Sequence, residues 1–324
     1  MTLLTIFTPT YNRKHTIGRT YKSLLKQTCK DFKWLIIDDG SNDGTREWVL
    51  SLGPKIEEQG IAYDWMGRPL NKTTLDHFVI ESNGLEIEYV CKENGGLYTG
   101  YNVAYDLIHT ELCVCIDSDD YLPKDAVEKI ASAWNALPKV QRLEAAGVVG
   151  LDYNCINEKP IGGCFCMYNK LVWNFELHHL GDVKYVFRTK LMNQVAPQIG
   201  FKGEKDFNPH YMQMQVLDKY KILVVNENFC WVEYQTGKDS MSQAIFKQYK
   251  RSPRSYARYR LMELEMKKGI SVIRKLCLHA HYVSACIFAH DREWLKNSSN
   301  KLLTLAMIPL GCCYNLFIRY KARL

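Results

Sequence analysis

The residues best suited to chemistry are three carboxylates within four positions, Asp117, Asp119 and Asp120, which follow the apolar run 113–116. Carboxylates this close repel each other, so each resists ionising beside its neighbours. The simplest compensation is a hard divalent cation with a phosphate group on its far side. The cluster therefore indicates a nucleotide-dependent enzyme.

The elements that position this cluster alternate between strand and helix over the first third of the chain. Apolar, β-branched runs predict strands at residues 3–8, 34–37, 87–91 and 112–116. Helices are predicted, chiefly from the spacing of apolar residues, at residues 17–28, 46–52 and 97–108. The alternation predicts an α/β fold with a mostly parallel, Rossmann-like sheet flanked by helices.

Each of these predicted strands ends in polar residues. The strand ends are Thr8-Pro9-Thr10-Tyr11-Asn12, Asp38-Asp39-Gly40-Ser41, Lys92-Glu93-Asn94-Gly95-Gly96 and the acidic cluster 117–120. Parallel sheets bind ligands at the carboxyl ends of their strands. Four such strand ends at one crevice predict a ligand site more strongly than any one of them.

Motifs of other metal-binding and phosphate-binding sites do not match. A calcium loop that starts at Asp39 would need Glu at its twelfth position, where the chain has Leu50. A loop that starts at Asp117 has Leu122 where the turn glycine belongs. Residues 95–100 have the glycine spacing of a P-loop, but Tyr101 replaces the lysine. The sequence therefore favours neither an EF-hand nor a P-loop.

Charge is distributed unevenly along the chain. Residues 247–324 contain 16 Lys and Arg against 4 Asp and Glu, whereas the other 246 residues contain 26 against 31. This asymmetry predicts a basic, helical C-terminal region at 243–324 that follows a larger domain at 1–242. Nucleic acid is not expected as a partner, because the basic residues are interleaved with an apolar helical face. That face is predicted on Ile273, Leu276, Ala280, Val283 and Ile287.

Residues 302–318 form a chargeless run of 17 residues that is followed by Arg319, Lys321 and Arg323. A membrane-spanning helix needs about 20 apolar residues, so this run is short for one. Two interpretations stay open. The run is either an interfacial helix at an anionic membrane surface or a helix packed on its own domain.

The start of the chain does not resemble a secretory signal, because no basic stretch precedes its first apolar run. With no such signal, the 12 cysteines of the chain suggest a reducing compartment. We therefore expect a cytoplasmic protein, with peripheral placement on the inner face of the cell membrane as a hypothesis.

Four motifs, in this order and at this spacing, resemble the family 2 glycosyltransferases of the GT-A fold. They are Thr8-Pro9-Thr10-Tyr11-Asn12-Arg13, Asp38-Asp39-Gly40-Ser41-Asn42-Asp43-Gly44-Thr45, Glu93-Asn94-Gly95-Gly96 with Asn102, and Asp117-Ser118-Asp119-Asp120-Tyr121-Leu122. Three later segments resemble a bacterial subgroup that builds surface polysaccharides, namely 201–205, 231–234 and 309–311. The resemblance implies a GT-A catalytic domain at 1–242, with a nucleotide-sugar half at about 1–130 and an acceptor half at about 131–242.

The resemblance implies a role for each motif. Tyr11 would stack on the nucleotide base, Asp39 would accept a hydrogen bond from uracil, and Asp117 would lie near the ribose and the metal. Asp119, with Asp117, would coordinate Mn²⁺ or Mg²⁺, and Asp120 would shape the acceptor side. The implied donor-binding residues are Thr8, Pro9, Tyr11, Asp39, Asn94, Gly95, Gly96, Asn102, Asp117 and Ser118.

Family 2 enzymes invert the anomeric carbon in one displacement, which requires a carboxylate base for the acceptor hydroxyl. The resemblance places this base in an acidic motif late in the catalytic domain, usually Glu-Asp. The matching position reads Glu204-Lys205, followed by Asp206. Glu204 is therefore the predicted base, with Asp206 and Asp120 as alternatives.

The implied function is transfer of a sugar, with inversion, from a nucleotide donor to a glycan or polyprenyl-linked acceptor. A UDP-sugar is the expected donor, and capsule, exopolysaccharide or O-antigen synthesis is the expected setting. One alternative is a non-catalytic nucleotide-sugar-binding scaffold or regulator, which the departure at Lys205 favours. Another is a sugar nucleotidyltransferase, which should have a Gly-rich, basic loop where this chain has residues 9–13.

Overall fold

The computed structural model of the chain describes residues 2–70, 76–233, 244–266 and 269–322. These residues form two compact units. The first comprises residues 2–70, 76–95, 99–198 and 219–233, and the second comprises 96–98, 199–218, 244–266 and 269–322. The predicted domain boundary between residues 242 and 243 lies outside the described residues.

The first unit alternates strand and helix over its first part, as predicted. Its strands are β1 (Leu4–Thr10), β2 (Phe32–Asp38), β3 (Lys55–Glu58), β4 (Ala62–Tyr63), β5 (Pro69–Leu70), β6 (His77–Ser82), β7 (Leu85–Cys91), β8 (Leu112–Cys115), β9 (Ala145–Asn154), β10 (Lys170–Val172), β11 (Val183–Arg188) and β12 (Lys221–Val232). Its helices are α1 (Lys14–Leu25), α2 (Thr45–Leu50), most of α3 (Leu97–Leu107), α4 (Ala126–Ala136), α5 (Lys139–Glu144) and α6 (Thr189–Asn193).

Ten of these strands form one mixed sheet in the order β10-β12-β9-β11-β8-β1-β2-β7-β6-β3. The four central strands β8, β1, β2 and β7 run parallel to one another. The strands that flank them, β11 and β6, are antiparallel to their neighbours β8 and β7. The predicted α/β fold is therefore confirmed, with antiparallel additions on both sides of a parallel centre.

Helices cover both faces of the sheet because successive side chains of a strand point to opposite faces. Leu4 and Ile6 of β1 lie in one buried cluster with Ile17 of α1. Phe7, the next residue after Ile6, points to the other face, and its ring centroid lies 5.1 Å from that of Tyr101 of α3. This layering buries both sides of β1 and leaves its carboxyl end as the place where polar residues emerge.

Strand β12 is longer than the sequence pattern predicted. The apolar runs at 222–225 and 229–232 predict two strands, but the structure has one strand over both. Its pairing with β9 shifts register between Val224 and Asn228, which is a β-bulge. The bulge accommodates Asn226, whose amide exchanges two hydrogen bonds with the backbone of Phe165. The polar residues 226–228, which the sequence pattern assigns to a loop, are therefore part of a continuous strand.

The second unit is helical in its described part. Its helices are α7 (His210–Leu217), α8 (Ile245–Arg251), α9 (Pro253–Glu265), α10 (Val272–Ala289), α11 (Trp294–Asn297), α12 (Lys301–Ala306) and α13 (Ile308–Lys321). The predicted apolar face of α10 is correct for Ala280 and Val283, which are buried, but wrong for Ile273, which is 74% exposed. No helix in the described ranges has both the length and the apolar character needed to cross a bilayer.

Candidate active site

Four polar strand ends meet at one edge of the sheet. Strands β1, β2 and β7 end level with one another, because Thr10 pairs with Asp38 and Asp38 pairs with Cys91. Strand β8 pairs with β1 in the same direction, so the acidic cluster that follows it emerges at the same edge. The structure therefore brings together the strand-end motifs that the sequence singled out.

The carboxylate of Asp39 lies at the centre of a hydrogen-bond network. The ammonium of Lys92 donates to Oδ1 at 2.5 Å, the backbone N–H of Gly95 donates to Oδ1 at 2.9 Å, and Nδ2 of Asn94 donates to Oδ2 at 3.1 Å. Burial lowers the pKa of Lys92, whose side chain is 0% exposed, while the charge of Asp39 acts in the opposite direction. These donors hold Asp39 in one orientation as a hydrogen-bond acceptor.

Lys92 is a site residue that sequence reasoning missed, although it directly follows an apolar strand. It also donates to Oγ1 of Thr99 at 2.8 Å, so it links the end of β7 to α3. A buried lysine requires a paired carboxylate, because an isolated buried charge is costly. The signal in the sequence was a charged residue beside Asn94-Gly95, but nothing there showed that its partner was Asp39.

The loops after β1 and β2 are joined by reciprocal hydrogen bonds. The backbone N–H of Asn12 donates to Oγ of Ser41 at 2.8 Å, and the backbone N–H of Asn42 donates to Oδ1 of Asn12 at 2.9 Å. Tyr11 precedes this junction and exposes 48% of its surface. An exposed aromatic ring on a fixed loop near Asp39 is available for stacking on a planar ligand.

The acidic cluster forms a tight turn after β8. The backbone N–H of Asp120 donates to the carbonyl of Asp117 at 3.0 Å, and Arg19 donates to the carbonyl of Asp119 at 3.1 Å. Arg19 also pairs with Glu233, which anchors the end of β12 to the turn. Burial, followed by the charge of Asp117, raises the pKa of Asp119. Among the described residues, neither Asp117 nor Asp119 has an ion-pair partner.

A second group of buried charges lies behind this turn and was not foreseen. Nζ of Lys184 is 3.7 Å from Oδ2 of Asp120 and 3.7 Å from Oδ2 of Asp152. Burial raises the pKa of Asp120 to about 8 and that of Asp152 to about 6, although Lys184 opposes both shifts. Burial disfavours the charge of Lys184, yet the neighbouring carboxylates, Asp152 foremost, raise its pKa well above the usual value. The sequence signal was faint: Lys184 shares a strand face with the buried Val186.

This excess of buried carboxylates predicts a pH-dependent stability. Asp120 and Asp152 bind protons more tightly in the folded chain than in the unfolded one, so stability falls as pH rises from about 4 to about 8. Asp120→Asn removes one carboxylate and leaves Lys184 paired with Asp152. At pH 8 we expect the free energy of unfolding of the variant to exceed that of the parent by on the order of 1 kcal/mol, so the variant unfolds at a higher temperature. The difference should shrink towards pH 4.

Thermal unfolding at pH 4, 6 and 8 measures this difference. The matched control is Glu86→Gln, which neutralises a carboxylate whose side chain is 51% exposed and should leave the pH profile unchanged. A stability gap between Asp120→Asn and the parent that is the same at all three pH values would show that Asp120 does not titrate in this window.

The sequence predicts an insertion at 54–86, because this segment is longer than a simple connection between elements. Within it, the hairpin of β4 and β5 lies against the donor-site motifs of the first unit. A Cβ at Gly95 would lie 1.7 Å from the carbonyl oxygen of Trp65, so only glycine fits there. Asn102 donates to the carbonyls of Met66 at 2.9 Å and Gln198 at 3.1 Å, and accepts from the N–H of Gln198. Asn102 thus positions backbone segments around the start of α3.

The other predicted donor-site residues are mainly buried. Thr8, Pro9 and Ser118 are buried, and the hydroxyl of Thr8 accepts a hydrogen bond from Trp34 at 2.9 Å. Gly96, in the second unit, has a φ of +98°, and a Cβ there would lie 2.2 Å from the carbonyl oxygen of Lys205. These residues therefore shape the backbone, and their side chains offer little to a ligand.

The candidate bases Glu204 and Asp206 are both engaged within the second unit. Glu204 accepts hydrogen bonds from the backbone N–H of Arg254 at 3.1 Å and from the N–H and hydroxyl of Ser255, each at 2.8 Å. These donors belong to the first turn of α9, where a carboxylate is stabilised by the helix dipole. Asp206 accepts two hydrogen bonds from Arg251 and one from Ser252. The role of Glu204 as base stays a prediction.

Comparison with known proteins relates these features to one family. Residues 5–72 match the family described as glycosyl transferase family 2. The chain is 25% identical over 252 residues to the Escherichia coli protein WfgD, a UDP-Glc:α-D-GlcNAc-diphosphoundecaprenol β-1,3-glucosyltransferase. The match covers 77% of this chain and 83% of WfgD. The alignment thus extends well beyond the segment that the family description covers.

Solved structures support the fold. S. aureus TarS 1–349 in complex with UDP-GlcNAc superimposes with a TM-score of 0.53 at 18% identity, over 99% of this chain and 91% of that one. The mannosyltransferase PcManGT from Pyrobaculum calidifontis, in complex with GDP-Man and Mn²⁺, gives a TM-score of 0.50 at 14% identity, over 99% and 83%. At these identities the likeness concerns the fold alone.

The three lines of evidence agree with one another. The strand-end motifs lie together at one edge of a mixed sheet, the family match begins in β1, and the similar structures share the architecture. None of the relatives named above is a nucleotidyltransferase. The chain is similar to the family 2 glycosyltransferases, and it has the GT-A fold of the solved structures named above.

Proposed function

We propose that the protein transfers a sugar, with inversion, from a UDP-sugar to a glycan carried on a polyprenyl diphosphate. The observation that supports this most is the network around Asp39, which fixes a buried acceptor next to an exposed aromatic ring. The acidic turn after β8 emerges at the same sheet edge. Along this sheet edge, Tyr11 and Asp39 would contact the base and Asp117 the ribose, while Asp119 would hold the metal at the diphosphate. The product would enter capsule, exopolysaccharide or O-antigen synthesis.

The network around Asp39 favours uracil over cytosine. The donors described above hold the Asp39 carboxylate in one orientation, and an ionised carboxylate can only accept hydrogen bonds. Uracil has an N–H at ring position 3, which can donate a hydrogen bond to the carboxylate. Cytosine has an unprotonated nitrogen at this position, so two acceptors would face each other. A site that forms a buried hydrogen bond rejects a ligand lacking that group strongly. Tyr11 would supply stacking, which tolerates any base.

The acidic turn has the chemistry of a site for Mn²⁺ or Mg²⁺. Asp117 is exposed and Asp119 half-buried, and both offer hard carboxylate oxygens. In the described part of the chain no three His, Cys, Asp or Glu side chains converge on one point. Such ions are commonly held by one or two carboxylates together with substrate phosphates, so Asp119 and Asp117 suffice on the protein side. A bound ion would neutralise charge on the departing nucleoside diphosphate.

Glu204 is proposed as the base that takes the proton of the acceptor hydroxyl, with Asp206 and Asp120 as alternatives. The backbone N–H and the hydroxyl of Ser255, in the first turn of α9, donate hydrogen bonds to this carboxylate. Glu204→Gln removes the negative charge but keeps one side-chain oxygen that can accept these hydrogen bonds. We expect Glu204→Gln to lower kcat about 10²–10⁴-fold with little change in KM for the donor. Steady-state kinetics with a saturating acceptor measures both values.

Ser255→Ala is the matched control for that variant. It removes the hydroxyl that donates to Glu204 at 2.8 Å but leaves the carboxylate in place. If Glu204 only caps the helix, both variants should lose stability and keep kcat. If Asp206→Asn or Asp120→Asn lowers kcat more than Glu204→Gln does, the assignment passes to that residue.

The acceptor and the location are proposed from the relative and from the second unit. WfgD acts on a sugar linked to diphosphoundecaprenol, and we propose the same class of acceptor for this chain. Such acceptors lie in a bilayer, so the protein would work as a peripheral enzyme on the cytoplasmic face of the cell membrane.

Transfer itself is tested with a panel of UDP-sugars and a short-chain polyprenyl diphosphate that carries one sugar. Release of UDP and a mass shift of the lipid report turnover. We expect transfer with one UDP-sugar in Mn²⁺ and none in EDTA. Binding of UDP without transfer from any member of the panel would favour the scaffold alternative.

A further inference from the structure

The C-terminal helix α13 has two apolar faces. One face packs within the second unit through Gly311, Asn315 and Ile318, which are spaced as i, i+4 and i+7. A Cβ at Gly311 would lie 2.6 Å from a methyl of Val283, and Nδ2 of Asn315 donates to the carbonyl of Ser284 at 3.0 Å. This face is therefore docked closely on α10. A surface helix that packs on one side is expected to be polar on the other.

The outward face of α13 is apolar instead. It presents Leu310 at 50%, Leu316 at 66%, Phe317 at 45% and Tyr320 at 63% exposure. Cys312 and Cys313 are also exposed, and Leu302 of the preceding helix α12 is 81% exposed. Phe317 packs partly against the ring of Phe246 in α8, with ring centroids 5.6 Å apart, and remains 45% exposed. Large exposed apolar groups that gather on one helix mark an interaction surface.

The segment that carries this surface contains only positive charges. After Glu293 the chain contains Lys296, Lys301, Arg319, Lys321 and Arg323 and no Asp or Glu. Of these, Lys301 begins α12, while Arg319 and Lys321 lie in the last turn of α13. An apolar face bordered by Lys and Arg is the pattern of helices that lie in the plane of an anionic bilayer.

We propose that α12 and the outward face of α13 form a lipid-binding surface that lies on anionic phospholipid, with Leu302, Leu310, Leu316 and Tyr320 entering the interface. A second copy of the chain fits less well. A two-fold contact through this face would join two positively charged segments, neither of which has an Asp or Glu after residue 293 to pair with the Lys and Arg of the other. The proposal rests on the proposed function only in its choice of a membrane as the setting.

Vesicle flotation tests the surface without requiring turnover. The full chain is mixed at low salt with vesicles of phosphatidylglycerol and phosphatidylcholine, or of phosphatidylcholine alone. We expect most of the protein to float with the anionic vesicles, and little with the neutral vesicles or at 0.5 M salt. The double variant Leu310→Gln/Leu316→Gln should bind anionic vesicles at least tenfold more weakly.

Two controls keep the result interpretable. Leu180→Gln/Val140→Gln makes the same chemical change at residues that are 98% and 72% exposed in the first unit, and it should float like the parent. Stabilisation by UDP should be the same in all three proteins.

Equal flotation of both double variants would overturn the proposal. So would a dimer of the parent chain, measured by light scattering, that Leu310→Gln/Leu316→Gln converts to monomer. If the parent chain itself is not stabilised by UDP, the result would instead count against the proposed function.

Discussion

Replacement of Asp119 by Asn should lower the rate of sugar transfer at least about 10²–10³-fold. Asp119 is half-buried in the turn after β8, and burial together with the charge of Asp117 raises its pKa, although Arg13 and Arg19 oppose the shift. The amide keeps the shape of the side chain and removes the charge. Stabilisation by UDP in EDTA should persist in this variant, whereas the additional stabilisation by Mn²⁺ should disappear.

The control for this prediction is Asp125→Asn. Asp125 lies six residues further on, directly before α4, and pairs with Lys129 at 3.1 Å. Its carboxylate is partly exposed and takes no part in the proposed site, so transfer and the Mn²⁺ effect should match the parent. A parent-like Mn²⁺ effect in Asp119→Asn would contradict the assignment of the metal site.

Replacement of Lys92 by Met should lower the free energy of unfolding by about 3–5 kcal/mol, the range for breaking a buried ion pair. The ammonium of Lys92 lies 2.5 Å from Asp39, and the two side chains are 0% and 9% exposed. Without the ammonium, Asp39 remains a buried carboxylate among fewer donors. Affinity for UDP should fall as well, because the orientation of Asp39 is no longer fixed. Urea unfolding and a UDP titration measure the two effects.

Lys33→Met is the matched control, because Lys33 also pairs with carboxylates on the sheet but keeps 24% of its side chain exposed. Pairs of this kind contribute about 0–1 kcal/mol. The double variant Asp39→Asn/Lys92→Met should recover much of the stability and none of the UDP affinity. If Lys92→Met is no less stable than Lys33→Met, the buried pair does not hold the site together.

The sequence predicted the parallel centre of the sheet because hydrophobic runs and polar strand ends are local features. The residues 8–12 and 38–41 stand directly after apolar strands, and parallel pairing must bring such ends to one edge. On one side, the antiparallel hairpin of β6 and β7 also has a local signal, the turn residues Asn83-Gly84. On the other side, β11 pairs with β8 and β9, which are distant in the sequence, and no local pattern reveals such pairing. The bulge in β12 illustrates this, since Asn226 is accommodated only because Phe165 lies opposite to it.

The buried charges of the site were beyond sequence reasoning for the same reason. Lys92 and Asp39 are 53 residues apart, and Lys184 is 64 residues from Asp120. Pattern analysis assigns an isolated lysine to the surface, because buried lysines are rare unless they are paired. Only the fold shows that a carboxylate faces each of them.

The most direct test of the account is thermal unfolding with UDP, GDP, TDP, CDP and CMP, each in Mn²⁺ and in EDTA. A ligand well above its dissociation constant stabilises the folded chain by several kcal/mol. We expect the largest stabilisation with UDP, an additional Mn²⁺ effect that Asp119→Asn abolishes, and no effect of the cytidine nucleotides. Stabilisation by CDP equal to that by UDP, or the same UDP effect in EDTA as in Mn²⁺, would contradict the proposed donor site.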